Sequence, residues 1–499
     1  MKISRKLRLM IIIFSVMIFS ISIQYVWDLT QAERTMSSYN KVDTLTEYNI
    51  TVEFLEDNMF LKGSQEFIYT NHQKVPLKNL YFHLYPNAFK TIERVPFEKE
   101  EIQRAYPNGF DTGYIEIASI KEGKNTIDYK IMGEGATILR VTPEKSLAPG
   151  EMLQLFFDFK VKLPNTIGRM GYGENTVNIT NWFPILAVYD ERGWNLDPYY
   201  AIGDPFYSEV ATYNVTAVIP KEYQLAATGN VTKIHERSNK KTYNIEADLV
   251  RNFVMILSKN FQVREAMLEN TRIFSYAIDG LKGELALQYS LDALKIFNSL
   301  FGKYPYEQLS VVACDFFVGG MEYPNVVMIS QNLYEMKEDF PLEYVVAHEI
   351  AHQWWYGIVG NNEVREPWLD EALTEYSTLM YFEKKYGAHI KEQIFEKMIK
   401  AQYENYIDFE ADRGEKILRS LREFDSSWQY SSIVYSKGAM FIHEIREEMG
   451  DEAFIKALRE YFEAFKFKNA TTEDFYNICQ KNTDKPLNNL FNQWLNTDM

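Results

Sequence analysis

The order of apolar and polar positions divides the chain into three stretches. Between Leu9 and Trp27 the only polar residues are Ser15, Ser20, Ser22 and Gln24. That run is about as long as a membrane-spanning helix requires and longer than the apolar core of a usual signal peptide. Lys2, Arg5, Lys6 and Arg8 precede it, and no Lys or Arg occurs between Leu9 and Glu33. The asymmetry predicts an N-in, C-out orientation, with everything after about residue 28 outside the cytoplasmic membrane. Thr30-Gln31-Ala32 is a weak small-residue cleavage site, so a cleaved signal and a secreted product stay open beside an uncleaved single-pass anchor. Residues 29–46 are polar and aperiodic and read as a linker.

From Tyr48 the text turns strand-like. YNITVEFLEDNMFLKGSQEFIYTN is two β-rich runs separated by the turn-forming Glu56-Asp57-Asn58, and similar runs recur as NVTAVIP, YQLAATGNVTKI and YNIEADL. A β domain is expected over 47–260. The third stretch, 261–499, opens with a strand-like LSVVACDFF and continues with helical segments at 342–357, 366–386, 391–405, 436–449 and 451–464. Gly357, Gly387 and Gly450 stand where those helices would stop.

Composition narrows the function. At 499 residues there is material for two or three domains. Lys plus Arg number 53 against 69 Asp plus Glu, a formal charge of −16, which argues against a phosphate-tracking surface and a nucleic-acid partner. Two cysteines, Cys314 and Cys479, are too few for a disulfide framework or a thiolate metal cage. Two small buried hydrophobes is the simpler reading, one bridge the other.

One constellation carries chemistry. His348-Glu349-Ile350-Ala351-His352 lies in a helical segment, where residues four apart share a face; both imidazoles reach one ion and Glu349 leans beside it. A catalytic zinc takes three protein ligands and keeps one position open. Glu371 follows His352 after 18 residues, in the second helical stretch EPWLDEALTEY, and the loop GIVGNNEVRE allows an antiparallel return. Glu371 is the expected third ligand. Glu375, one turn on, is a supporting or exposed carboxylate, and Asp370 faces elsewhere. A zinc ion held in this way lowers the pKa of water and polarises a carbonyl, with Glu349 as general base.

These residues resemble the gluzincin peptidases, in particular the aminopeptidase N family, which includes a bifunctional leukotriene epoxide hydrolase. VVAHEIAHQWWYG is similar to that family's zinc helix, WLDEALTEY to its third-ligand helix, GGMEYP at 319–324 to its Gly-x-Met-Glu-Asn motif, and YSSIVYSKGA at 430–439 to the segment with its catalytic tyrosine. The resemblance covers about residues 45–499. It implies a multidomain α+β protein: an N-terminal all-β saddle-like domain, then a mainly helical thermolysin-like catalytic domain. It also implies one Zn2+ per chain, peptide substrates, a catalytic Tyr435 donating to the oxyanion, and a Glu322 that binds a free α-amino group. Gly319, Gly320, Met321 and Tyr430 are the further substrate-binding positions, the two glycines letting a peptide lie along the strand edge.

The chain departs from the family at three points. Tyr323 replaces the usual Asn. The second amine anchor, normally a Gln or Glu from the β domain, has only Glu174 as a weak candidate. The text ends at Met499, shortly after NLFNQWLN, so the usual C-terminal helical domain is expected to be absent. The leading expectation is a membrane-anchored zinc aminopeptidase, with the catalytic domain extracytoplasmic. An endopeptidase with an open cleft and a membrane-tethered binding module that has kept zinc are the alternatives.

Overall fold

The computed structural model describes residues 45–409 and 416–495. The apolar run from Leu9 to Trp27 and nearly all of the expected linker lie outside them. Among the described residues no helix is long and apolar enough to cross a membrane.

The strand-like first half forms strands in which buried and exposed positions alternate. Along Thr46–Leu55 the buried positions include Tyr48, Ile50, Val52 and Phe54, and along Met152–Lys162 they are Leu153, Leu155, Phe157, Phe159 and Val161. Period two lays one face of each strand on a core. These strands belong to an eight-stranded sheet ordered Asn230–Arg237, Lys240–Val250, Ala211–Pro220, Thr46–Leu55, Phe60–Thr70, Met152–Lys162, Tyr114–Glu122, Asn125–Thr126. Thr46–Leu55 and Ala211–Pro220 are parallel; the other neighbours are antiparallel.

A five-stranded sheet follows from Phe261, ordered Phe261–Leu268, Thr271–Ile278, Gln308–Cys314, Val326–Ser330, Gly320–Met321. Its middle separates two cores. Val312 and Cys314 pack with the β half, and Leu309, Val311 and Ala313 with the helices; Val326 and Met328 likewise oppose Val327 and Ile329. A strand covered on both faces needs a continuous apolar run, which is why SVVAC and VVMIS show no alternation. Both cysteines are free and buried.

The helical half follows the sequence pattern with one correction. The segment expected to be helical over 342–357 is a helix only over Phe340–Ala351. Beyond it Tyr356 takes φ 118°, the chain reverses, and Val359–Gly360 pairs with Lys468–Asn469. Gly357 is therefore a turn residue, whereas Gly387 (φ 94°) and Gly450 (φ 82°) do end helices, in a backbone region that favours glycine. A helix over Gly283–Leu300 adds a layer against Phe340–Ala351.

Burial in the β half also places a titratable group in apolar surroundings. His83 is 4% exposed and stacks on Tyr85 at 4.8 Å between ring centroids. Burial pushes its imidazole down to about 4, against the weaker pull of Asp197 and the Asn195 backbone. The unfolded chain binds this proton more readily, so His83 withdraws stability as pH falls from about 6.5 towards 4, by up to about 3 kcal/mol. Melts of wild type and His83→Gln across that range should diverge in slope. A difference between them that does not change with pH would contradict the assignment.

Candidate active site

Two helices joined by the 352–367 loop supply the metal-binding set. On Phe340–Ala351 and its C-terminal residue His352, the 348/352 spacing puts both imidazoles on one face, 4.9 Å apart between centroids. Trp368–Tyr386 carries Glu371, whose amide is held by the Asp370 carboxylate at 2.8 Å. The Nε2 atoms of His348 and His352 lie 3.6 and 3.1 Å from Glu371 Oε2, and the three donors all fall within 4.8 Å of one another. Ligands ~2.0–2.1 Å from a tetrahedral ion are about 3.3 Å apart, close to the separations of the two imidazoles from Glu371, so the donor set suits a zinc-sized ion. Burial acts to raise the Glu371 carboxyl, but the two imidazoles overcome it and hold the group below the ordinary carboxylate range.

Glu349 is buried, and its Oε1 packs against the edge strand Gly320–Met321. A Cβ on Gly320 would stand 2.1 Å from that oxygen, so a side chain there would displace the Glu349 carboxylate. At Gly319 the nearest atom would be Val345 Cγ2 at 3.8 Å, ordinary contact. The other oxygen of Glu349 has no hydrogen-bond partner among the described residues. Burial, offset by His348 and His352, pushes its carboxyl up to about 7.

Tyr435 lies in a π-helical turn, Ser431–Lys437, and its hydroxyl donates to Glu371 Oε1 at 2.5 Å. Its ring stacks on His348 at 5.8 Å, and Tyr430 packs edge-on against it at 5.7 Å. Tyr430 thus braces Tyr435 rather than standing in an open cleft. Met321 points away from the metal-binding set, into the β-half core, where its sulfur accepts from Arg169 Nε at 3.1 Å.

Glu322 is 4% exposed, and its Oε1 has no hydrogen-bond partner among the described residues. Burial raises its carboxyl well above the ordinary range; His352 opposes this, while Asp204, Glu349 and Glu371 add to it. The turn after it is fixed by Gln353, whose side-chain amide donates to the Glu322 and Tyr323 carbonyls, both at 3.2 Å, and accepts from Asn325 N at 3.0 Å. Tyr323 does not loosen this arrangement: its ring is buried and its hydroxyl accepts from Asn181 at 3.0 Å.

The β half contributes a carboxylate from a segment that sequence reasoning passed over. Glu174 is exposed. Asp204 is the β-half acid within electrostatic reach of Glu322, Glu349 and Glu371. It is ion-paired with Arg169, the residue that also contacts Met321. Nothing in local spacing links residue 204 to 322. Gln353 stands in the segment VVAHEIAHQWWYG, whereas Gly203-Asp204 carries no sequence signal.

Comparison with known proteins agrees with this geometry. Residues 285–494 match the Peptidase family M1 domain. The chain is 26% identical over 306 residues to Aminopeptidase M1-B of Oryza sativa subsp. japonica, an alignment covering 57% of this chain and 34% of that protein. It is 23% identical over 421 residues to the Alanine/arginine aminopeptidase of Saccharomyces cerevisiae, covering 78% and 47%. It therefore spans a third to a half of the length of these curated relatives. The fold of an M1 zinc metallopeptidase from Deinococcus radiodurans superposes with a TM-score of 0.64 at 18% identity, over 90% of this chain and 93% of that one. Residues 285–494 thus match a Peptidase family M1 domain, the two-part fold is that of an M1 zinc metallopeptidase, and the assembled His348, His352 and Glu371 set is similar to that of the aminopeptidase N-like gluzincins.

Proposed function

We propose that this chain is a zinc-dependent aminopeptidase that removes residues from the free N-terminus of peptides. The observation that carries the reading is Glu322, a buried carboxylate with an unpartnered oxygen beside the metal-binding set. Its desolvation has already been incurred in folding, so a substrate ammonium arriving there forms a charge-assisted bond at little further cost. Asp204, ion-paired with Arg169, lies within electrostatic reach of Glu322 from the β half. The relatives named above are aminopeptidases, and the Deinococcus radiodurans fold has been solved with a Tyr-Ser-Ala substrate.

His348, His352 and Glu371 would hold the zinc. When bound, the ion supplies Lewis acidity that polarises a carbonyl and makes water more acidic. The chain's own residues do the rest. Glu349 accepts the proton of the attacking water and passes it to the leaving amine. The Tyr435 hydroxyl, already aimed at the metal-binding set, turns from Glu371 to the developing oxyanion. Glu322 holds the α-ammonium, so that the first peptide bond is the one presented.

The eight-stranded sheet is read as the saddle-like domain over 47–260 and the remainder, 261–499, as a thermolysin-like catalytic domain. The Leu9–Trp27 run and the cations before it support placing the catalytic part outside the cytoplasmic membrane, either tethered by one span or released if that segment is cut.

The test compares free and N-acetylated peptides. Glu322→Ala removes a charge-assisted hydrogen bond of ~1.5–3 kcal/mol, so kcat/KM on free-amine peptides should fall about 10- to 100-fold. Any residual cleavage of acetylated peptides should be unaffected. Equal losses on both would make Glu322 a structural carboxylate and favour an endopeptidase.

A further inference from the structure

We propose that Glu375 is a positioning residue for His348, itself held in place by Tyr344; the inference rests on the zinc reading above. Glu375 is 7% exposed, and both of its oxygens are engaged. Oε2 lies 2.9 Å from His348 Nδ1, and Oε1 accepts the Tyr344 hydroxyl at 2.6 Å. The contacts between the two helices step in opposite directions along them. Tyr344 meets Glu375, His348 meets both Glu375 and Glu371, and His352 meets Glu371. One-turn spacing on both elements produces this match.

The two imidazoles are supported unequally. His352 Nδ1 faces neutral groups, the Trp355 carbonyl at 3.0 Å and the Thr374 hydroxyl at 3.1 Å. His348 Nδ1 faces an anion. A carboxylate there keeps the proton on Nδ1, leaves the Nε2 lone pair directed at the metal-binding set, and makes that nitrogen a stronger donor. Tyr344 prevents the carboxylate from swinging away. His348 is thus the ligand whose tautomer and ring angle depend on one removable side chain.

The experiment titrates zinc into the full chain against a competing chelator and records the visible spectrum of the cobalt-substituted protein. Four variants are compared: Glu375→Ala, Glu375→Gln, Tyr344→Phe and His348→Ala. Glu375→Ala should weaken zinc binding about 10- to 100-fold and alter the cobalt spectrum. Glu375→Gln has the same shape and keeps an acceptor for Nδ1–H, so it should recover part of that loss and melt, zinc-free, like the wild type. Tyr344→Phe should fall between wild type and Glu375→Ala. Wild-type zinc affinity in Glu375→Ala overturns the proposal. So does an equal loss in Glu375→Gln and Glu375→Ala that simply follows a lowered zinc-free melting temperature. His348→Ala tells the two readings apart: if it binds zinc like wild type the metal assignment fails, whatever Glu375 does.

Discussion

Replacing His348 by alanine should leave a folded chain that no longer retains zinc and no longer turns over peptides. The substitution takes one of three donors from an arrangement whose members lie within 4.8 Å of one another, and no other His, Cys, Asp or Glu group among the described residues is placed to replace it. The loss should exceed the ~10- to 100-fold that follows when only a ligand's hydrogen-bond partner is removed. His352→Ala and Glu371→Ala should behave in the same way. Elemental analysis after dialysis measures the metal, and arylamide hydrolysis measures turnover. Stoichiometric zinc with full activity in His348→Ala would sink the assignment. In the wild type, a chelator should abolish activity and added zinc should restore it.

Glu349→Gln should do the opposite for the metal and the same for the chemistry. The carboxylate is absent from the metal-binding set, so zinc content should stay at one per chain. Glutamine keeps the shape that packs on Gly320 but cannot accept the proton, and kcat should fall by the ~10²–10⁴-fold that general-base catalysis contributes. The wild type should lose activity as pH falls, because the base works only when ionised. Burial, offset by His348 and His352, sets that carboxyl at about 7, and a bound dication favours the carboxylate, so the acid limb should lie below 7. A kcat unchanged in Glu349→Gln would remove Glu349 from the chemistry.

The residues that assemble by local periodicity were legible in the sequence. His348, Glu349 and His352 share a helix face by their spacing, and Glu371 lies one short loop away on a helix that must return. The strands of the first half declared themselves by their apolar and polar composition and by the turns between them. The misses have a different physics. Asp204 and Arg169 reach the site through tertiary packing across more than a hundred residues, and no local rule connects them to Glu322. The segment expected to be helical to 357 is helical only to Ala351, and beyond it Tyr356 adopts a positive φ, a conformation its side chain gives no reason to expect. Gly283–Leu300 is absent from the helical stretches named from the sequence, although Ala286, Leu287, Ala293, Leu294, Phe297 and Leu300 repeat at helical spacing. Met321 and Tyr430 belong to the matching motifs yet serve packing, a distinction that motif spacing does not contain.

The contact between Gly320 and Glu349 makes the edge strand a measuring device. The carboxylate that would take the proton rests on residue 320, within the edge strand Gly320–Met321, and the one that would take the ammonium grows from residue 322, directly after it. The reach from a substrate's first nitrogen to the bond being cut is thereby set by main chain, and side-chain pockets adjust only which residue is accepted. Converting such an enzyme to release dipeptides would call for moving the acid along this strand; enlarging a pocket would leave the count unchanged.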